Sequence, residues 1–95
     1  MMNTPWGIAQ TQEEIAPGIT SVTTSSHGGY FVETALRGKL LKQETKYSHG
    51  GFFEEDCDWC IVALSFPEIF RAEQVDMAKE IAGRYHPDIL DKLTA

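Results

Sequence analysis

The pattern of apolar and polar positions predicts strands early in the chain and helices late. Residues 19–24 are rich in threonine and β-branched side chains and follow a Pro-Gly turn, and a second apolar segment occupies residues 30–32. Such segments are typical of strands. We therefore predict an antiparallel hairpin in which residues 25–29 form the loop.

Helical spacing dominates the second half. One helix is predicted over 72–85, where His86-Pro87 ends an apolar stripe formed by Val75, Ala78, Ile81, Ala82 and Tyr85. Residues 59–66 are apolar on nearly every side, which fits a buried helix or a buried strand. An N-cap at Asp56 or Asp58 favours the helix. A short closing turn is predicted at 88–93.

Capping signals predict shorter helices elsewhere. Thr4-Pro5 resembles a helix start, Thr11 and Glu14 fit a capping box for a helix at 11–15, and Thr34 precedes a weak helix. A further capping box at 65–68 begins another element. Together these elements predict one small α+β domain over residues 1–95. Its antiparallel sheet would have two or three strands, with C-terminal helices packed on it.

The segment Ser26-His27-Gly28-Gly29 begins an octet that recurs 22 residues later, from Ser48-His49-Gly50-Gly51. Two aromatic residues follow the glycine pair in each copy. Glycine pairs permit positive φ, so the repeat predicts two similar turns. Because the first follows the best strand, we expect valine at its glycines, and alanine at His27, to be the more damaging replacements.

The two histidines are open to three interpretations: turn-filling side chains, a binding surface, or catalytic or metal-binding groups. Neighbouring serine, cysteine and glutamate side chains could orient a general base, but no known catalytic spacing links them. The glycine pairs also lack the strand-then-helix context of a phosphate loop. We therefore assign no catalytic residue, cofactor site or metal site.

The net charge of −6 is unevenly distributed, since residues 37–46 are basic and residues 54–58 hold four acids. A short basic patch is a poor nucleic-acid footprint, which argues against direct nucleic-acid binding. An acidic surface instead suits a basic protein partner. The candidate partner-binding residues are Glu54, Glu55, Asp56, Asp58, His27, His49 and Glu33.

Cys57 and Cys60 form a C-x-x-C pair. Two cysteines without a signal peptide do not indicate a disulfide scaffold. A redox-active cysteine requires a thiol with a low pKa, whereas the surrounding carboxylates would raise the pKa of these thiols. Zinc would require two further ligands, for which His27 and His49 are available. The simplest interpretation is that Cys60 is a small buried apolar residue.

Five motifs occur in order along the chain: Thr4-Pro5-Trp6-Gly7, Ile15-Ala16-Pro17-Gly18-Ile19, Ser26-His27-Gly28-Gly29, residues 54–59 and Phe66-Pro67-Glu68. As an ordered set they resemble an uncharacterised domain family of proteobacterial phage, plasmid and mobile-element proteins. In that family the second cysteine position is commonly alanine, which counts against a shared metal or redox role for Cys60. The resemblance implies a genomic context and carries no assigned activity.

Small acidic proteins of mobile elements often inhibit host defence. We therefore expect a non-catalytic, anti-CRISPR-like or other anti-defence inhibitor that binds a basic host protein, for example one in a nucleic-acid-binding defence complex. No signal peptide or membrane-spanning run is evident, so we expect a cytoplasmic protein without membrane contact. The alternatives are a small zinc- or thiol-dependent enzyme using His27, His49, Cys57 and Cys60, and a homodimeric structural module.

Overall fold

A computed structural model describes residues 2–94 of the chain, apart from the side chain of Thr94. This part forms an N-terminal group of strands followed by helices, which confirms the α+β class. The strands are β1 (Asn3–Thr4), β2 (Gly7–Ile8), β3 (Thr11–Ala16), β4 (Ile19–Thr23), β5 (Gly28–Val32) and β6 (Phe52–Glu54). The helices are α1 (Trp59–Ser65), α2 (Ala72–Tyr85) and α3 (Pro87–Thr94), with 3-10 helices at Thr34–Lys39 and Pro67–Ile69.

The main sheet is antiparallel, with strands in the order β3-β4-β5-β6. It therefore has four strands rather than the predicted two or three. Its register pairs Ile19 with Val32 and Tyr30 with Phe53, so these side chains share one face. That face packs against the helices. The core between the layers includes Ile19, Val32, Phe53, Cys60, Ile61, Val62, Ala63, Leu64, Ala78, Ala82 and Ile89.

On the other face of the sheet, the turn of the small β1–β2 ribbon places one aromatic ring over the strands. Trp6, in the turn of this ribbon, meets Phe52 edge-on with ring centroids 5.9 Å apart, and Phe52 contacts Phe31 at 4.7 Å. The guanidinium of Arg37 lies over the Phe31 ring. Val22 is fully buried beneath this layer. The ribbon thus gives the sheet a second, aromatic packing layer.

The predicted hairpin and the two longer helices are confirmed. β4 and β5 pair as expected, α2 has the predicted bounds, and α1 covers residues 59–65 of the apolar run. The closing element is a helix, α3. The segments that begin at Thr34 and at Pro67 are 3-10 helices. The first has no side-chain cap hydrogen bond and contains no buried residue.

The helices predicted near the N-terminus are wrong. The Thr4 hydroxyl donates to the carbonyl of Gly7 and accepts the N–H of Trp6, which forms the turn of the ribbon. Residues 11–16 pair along β4 as a strand, and the Glu14 carboxylate accepts the N–H of Gly18. Long-range strand pairing therefore outweighs a weak local capping signal.

Among residues 2–94, no helix combines the length and apolar character required to cross a membrane.

Candidate binding groove

The two His-Gly-Gly segments adopt different conformations, so the prediction of two similar turns is wrong. Gly28 and Gly29 open strand β5 without positive φ, whereas Gly50 and Gly51 have φ values of 65° and 86° in the turn before β6. A Cβ at Gly29 would overlap the Phe53 carbonyl oxygen and the Trp6 ring. Position 29 requires glycine because Phe53 and Trp6 approach its backbone closely, and position 51 requires it because the backbone there has positive φ.

The two segments nevertheless bring His27 and His49 to one surface groove of about 710 Å³. We call it the histidine groove. The β4–β5 hairpin positions His27, and the loop before β6 positions His49. Its other lining residues are Pro5, Trp6, Lys46, Tyr47, Glu54, Asp56 and Cys57.

The rim of the histidine groove consists of exposed side chains. His27, His49 and Asp56 are exposed, and Tyr47 is 59% exposed despite its large aromatic ring. Within residues 2–94, neither imidazole makes a hydrogen bond. The interpretation of His27 and His49 as hydrogen-bonded turn fillers therefore lacks support, and their side chains are available to a ligand.

Glu54 differs from its acidic neighbours because its carboxylate is turned inward. Its oxygens accept the N–H groups of Asp56 (2.8 Å), Cys57 (2.6 Å) and Asp58 (2.9 Å). Burial opposes ionisation, but these hydrogen bonds and that from the Cys57 thiol outweigh it and lower the pKa of Glu54. Glu54 therefore organises the turn that leads into α1.

Asp58 is buried in a second polar cluster directly before α1. Its carboxylate accepts hydrogen bonds from the hydroxyls of Thr45 and Ser48, both at 2.5 Å, and lies 2.7 Å from His86 Nε2. Asp58 occupies the N-cap position of α1, but its side chain does not bond to the helix N–H groups. The predicted capping role is therefore wrong, and the carboxylate joins three separate segments instead.

The surroundings of His86 determine which ring nitrogen carries the proton when the ring is neutral. Lys42 Nζ lies 3.4 Å from Nδ1. An ammonium can only donate, so Nδ1 accepts and Nε2–H donates to Asp58. Ser48 and His86 both bond to Asp58 rather than to each other, so the cluster is not a nucleophile–base–acid relay. Sequence analysis missed it because its members lie far apart along the chain.

The cysteines do not form a reactive pair. The Cys57 thiol donates to Glu54 at 3.1 Å, and the buried Cys60 thiol donates to the Cys57 carbonyl at 3.2 Å. Burial, together with the charges of Glu54 and Asp58, raises the pKa of each thiol to about 12. A thiolate nucleophile is therefore disfavoured near neutral pH.

Glu54, Cys57 and Asp58 place one potential metal-ligating atom each within 4.8 Å of one another. Their carboxylate oxygens already accept the hydrogen bonds described above. A cation would have to displace these donors, so the geometry fits a hydrogen-bonded turn better than a metal centre. In the part of the chain that the structure describes, His27, His49, Cys57 and Cys60 do not form such a group.

The remaining predicted residues lie outside the histidine groove. Glu33 is exposed beside Gly18, and Glu55 lines a separate groove of about 460 Å³ between the sheet and α2. That groove also contains Tyr30, Trp59 and Met77. The predicted partner-binding set is thus dispersed: Glu54 and Asp58 are internal, whereas the other five residues are exposed.

The fold and the groove define a small α+β domain with an open, mixed polar and aromatic surface site. Residues 1–95 match the model of a family described as "Domain of unknown function (DUF7007)", and the chain belongs to this family. No curated protein and no solved structure matches the chain.

Proposed function

We propose that this protein is a non-catalytic binding domain that inhibits a host protein complex. The observation that carries the proposal is the histidine groove, whose rim presents exposed side chains, while the carboxylates of Glu54 and Asp58 and both thiols are held within the fold. Glu54, Asp58 and both thiols are therefore committed to structure, and the exposed His27, His49 and Tyr47 are suited to contact a partner.

The composition of the groove resembles that of a protein–protein contact surface. Tryptophan and tyrosine are enriched among the residues that contribute most to binding energy, because they bury a large area with little rotamer entropy. Tyr47 projects from the surface and Trp6 is half-buried at the groove wall. His27 and His49 add hydrogen-bonding groups to the groove, and so does the carboxylate of Asp56.

Charge favours a partner with a basic surface. The chain has a net charge of −6, and Glu33, Glu55 and Asp56 are all exposed. Complementary charge accelerates association and disfavours partners of the same sign. Since these effects are screened by salt, binding should weaken as ionic strength rises.

The more specific form of the proposal is an anti-defence inhibitor encoded by a phage or mobile element and acting in the host cytoplasm. Its support is the resemblance of the motif string to mobile-element proteins. A basic nucleic-acid channel in a CRISPR-type or other defence complex is the target that an acidic domain suits. In this form the protein competes with nucleic acid for the channel and does not bind nucleic acid itself.

The proposal can be tested by capture from host lysate at low and high salt. The groove variant combines Tyr47→Ala with His49→Ala, and the matched control is Tyr85→Ala, which removes another exposed tyrosine outside both grooves. We expect the groove variant alone to lose the captured protein, while all variants melt like wild type. Equal capture by the groove variant and wild type would contradict the site.

Function requires a second measurement, in which the purified protein is added to the captured complex. We expect reduced nucleic-acid binding or activity of that complex, with a smaller reduction for the groove variant. Capture without any effect on the complex would support the binding role of this domain and reject inhibition. Gene neighbours such as a helix-turn-helix regulator or phage structural genes would support the proposed genomic context.

A further inference from the structure

The two edges of the main sheet differ in how their outward backbone groups are satisfied. At the β6 edge, the N–H of Phe52 donates to the carbonyl of His49, and the N–H of Glu54 donates to the hydroxyl of Ser48, each at 3.3 Å. The loop before β6 therefore occupies the two outward N–H groups of this edge. An edge whose N–H groups are already bonded is a poor template for another strand.

The register shows which backbone groups of β3 point outward at the opposite edge. The N–H of Thr24 donates to the carbonyl of His27 just beyond the Thr23–Gly28 pair. Bonding alternates along antiparallel strands, so the backbone groups of Thr23 and Ser21 point toward β3. Their partners are Thr11 and Glu13.

The backbone groups of Gln12 and Glu14 consequently point away from the sheet. Residues 11–14 are all exposed, and no backbone hydrogen bond to another segment of residues 2–94 reaches Gln12 or Glu14 on that side. Each residue offers one donor and one acceptor in the geometry that an added strand requires.

Charge determines which strand this edge suits. Glu13 is exposed and makes no ion pair within residues 2–94, and Glu14 is exposed beside it. Antiparallel pairing of two copies through Gln12 and Glu14 would set Glu13 directly opposite its own copy, and opposed like charges are destabilising. A lysine- or arginine-bearing strand would instead place positive charge near Glu13.

We propose that the β3 edge binds an extended basic segment of a partner protein by strand addition. Backbone hydrogen bonds to Gln12 and Glu14 would hold the segment, and Glu13 would select a basic side chain. The basic character of the partner rests on the proposed function, but the edge is a surface distinct from the histidine groove.

The test uses the purified protein and an acetylated, amidated octapeptide of alternating threonine and lysine, titrated by amide NMR at low salt. We expect the largest shifts, and slowed hydrogen exchange, at the amides of Gln12 and Glu14. A threonine–glutamate octapeptide is the charge control and should not bind. Absence of lysine-peptide binding at millimolar concentration, or shifts confined to either groove, would overturn the proposal.

Gln12→Pro removes one outward N–H without removing a bond to β4. Proline is tolerated at such edge positions, and it favours the extended conformation that Thr11 already has. We expect peptide affinity to fall by about three- to tenfold, corresponding to one lost hydrogen bond. Gln12→Thr is the matched control, and a thermal melt of both variants establishes that they remain folded.

Unchanged affinity in a folded Gln12→Pro variant would overturn strand addition. So would concentration-dependent protection of Gln12 and Glu14 without peptide, because it would indicate self-pairing of β3. Loss of host capture in the groove variant, with peptide binding intact, would leave both proposals standing. Failure of peptide binding with capture intact rejects only the β3 proposal.

Discussion

The carboxylate of Asp58 and the imidazole of His86 lie 2.7 Å apart in the core, although 28 residues separate them in the chain. The pair joins the start of α1 to the junction between α2 and α3. Thr45 and Ser48 bond to the same carboxylate and so tie the loop before β6 to this point. A single buried acid therefore connects three segments whose sequences share no obvious pattern.

We expect His86→Ala to lower the free energy of unfolding by about 3 kcal/mol, because it leaves a buried carboxylate without one of its partners. The matched control is Asp88→Ala, which breaks the more exposed ion pair to Lys42 (3.2 Å) and should cost no more than about 0.5 kcal/mol. Urea unfolding measures both. Equal, small losses would show that the buried pair contributes little.

Glu54 should make stability depend on acid pH. Its pKa is lowered in the folded protein, so its contribution is present above the unfolded pKa and is lost as pH falls through the folded pKa. Glu54→Gln should cost about 2 kcal/mol near neutral pH and flatten the fall in melting temperature between about pH 5 and pH 3. Glu55→Gln, at an exposed neighbour, serves as control. A parallel fall in all three proteins would contradict this role.

The thiols should react slowly in the native protein. With the pKa of each raised to about 12, alkylation at pH 8 should be roughly a thousandfold slower than for an unperturbed cysteine. Mass spectrometry after timed alkylation measures the rate, and denaturant should restore it. Fast native modification of Cys57, or stoichiometric zinc together with a chelator-sensitive melt, would favour the enzyme alternative instead.

Gly29 and Gly50 should respond differently to alanine. Gly29→Ala should destabilise the protein by about 2–4 kcal/mol, because the new Cβ would overlap backbone of β6. A Cβ at Gly50 would contact no other atom, and the only strain in Gly50→Ala comes from the positive φ at this position. We therefore expect the free energy of unfolding to fall by about 1 kcal/mol. Thermal melts compare the two. A larger loss at Gly50 would contradict the packing argument for Gly29.

The prediction that the first glycine pair matters more assumed positive φ at Gly28 and Gly29, and the structure contradicts that reason. Gly29 is required by close packing rather than by positive φ. Gly51 combines positive φ with contacts to Arg37 and the Val32 carbonyl, so it should be as intolerant as Gly29. His27 and His49 are both exposed, and we expect their alanine variants to melt within about 0.5 kcal/mol of wild type.

The sequence by itself determined the elements whose signals are local and strong. The stripe from Val75 to Tyr85 repeats at the helical spacing and stops at a proline, so the bounds of α2 follow from the pattern. The β-branched segment from Ile19 and its aromatic return likewise define the central hairpin. The family-like motifs and the acidic balance are also properties of the sequence alone.

Which acidic and histidine side chains are available depends on long-range contacts in the folded protein. Glu54 and Glu55 are adjacent and identical, yet one bonds to three backbone N–H groups and the other is exposed. Strand pairing similarly places residues 11–15, where a helix was predicted, in the edge strand β3, and the fold brings His27 and His49 to one groove. These outcomes depend on contacts between residues far apart in the chain, whose energies no local pattern contains.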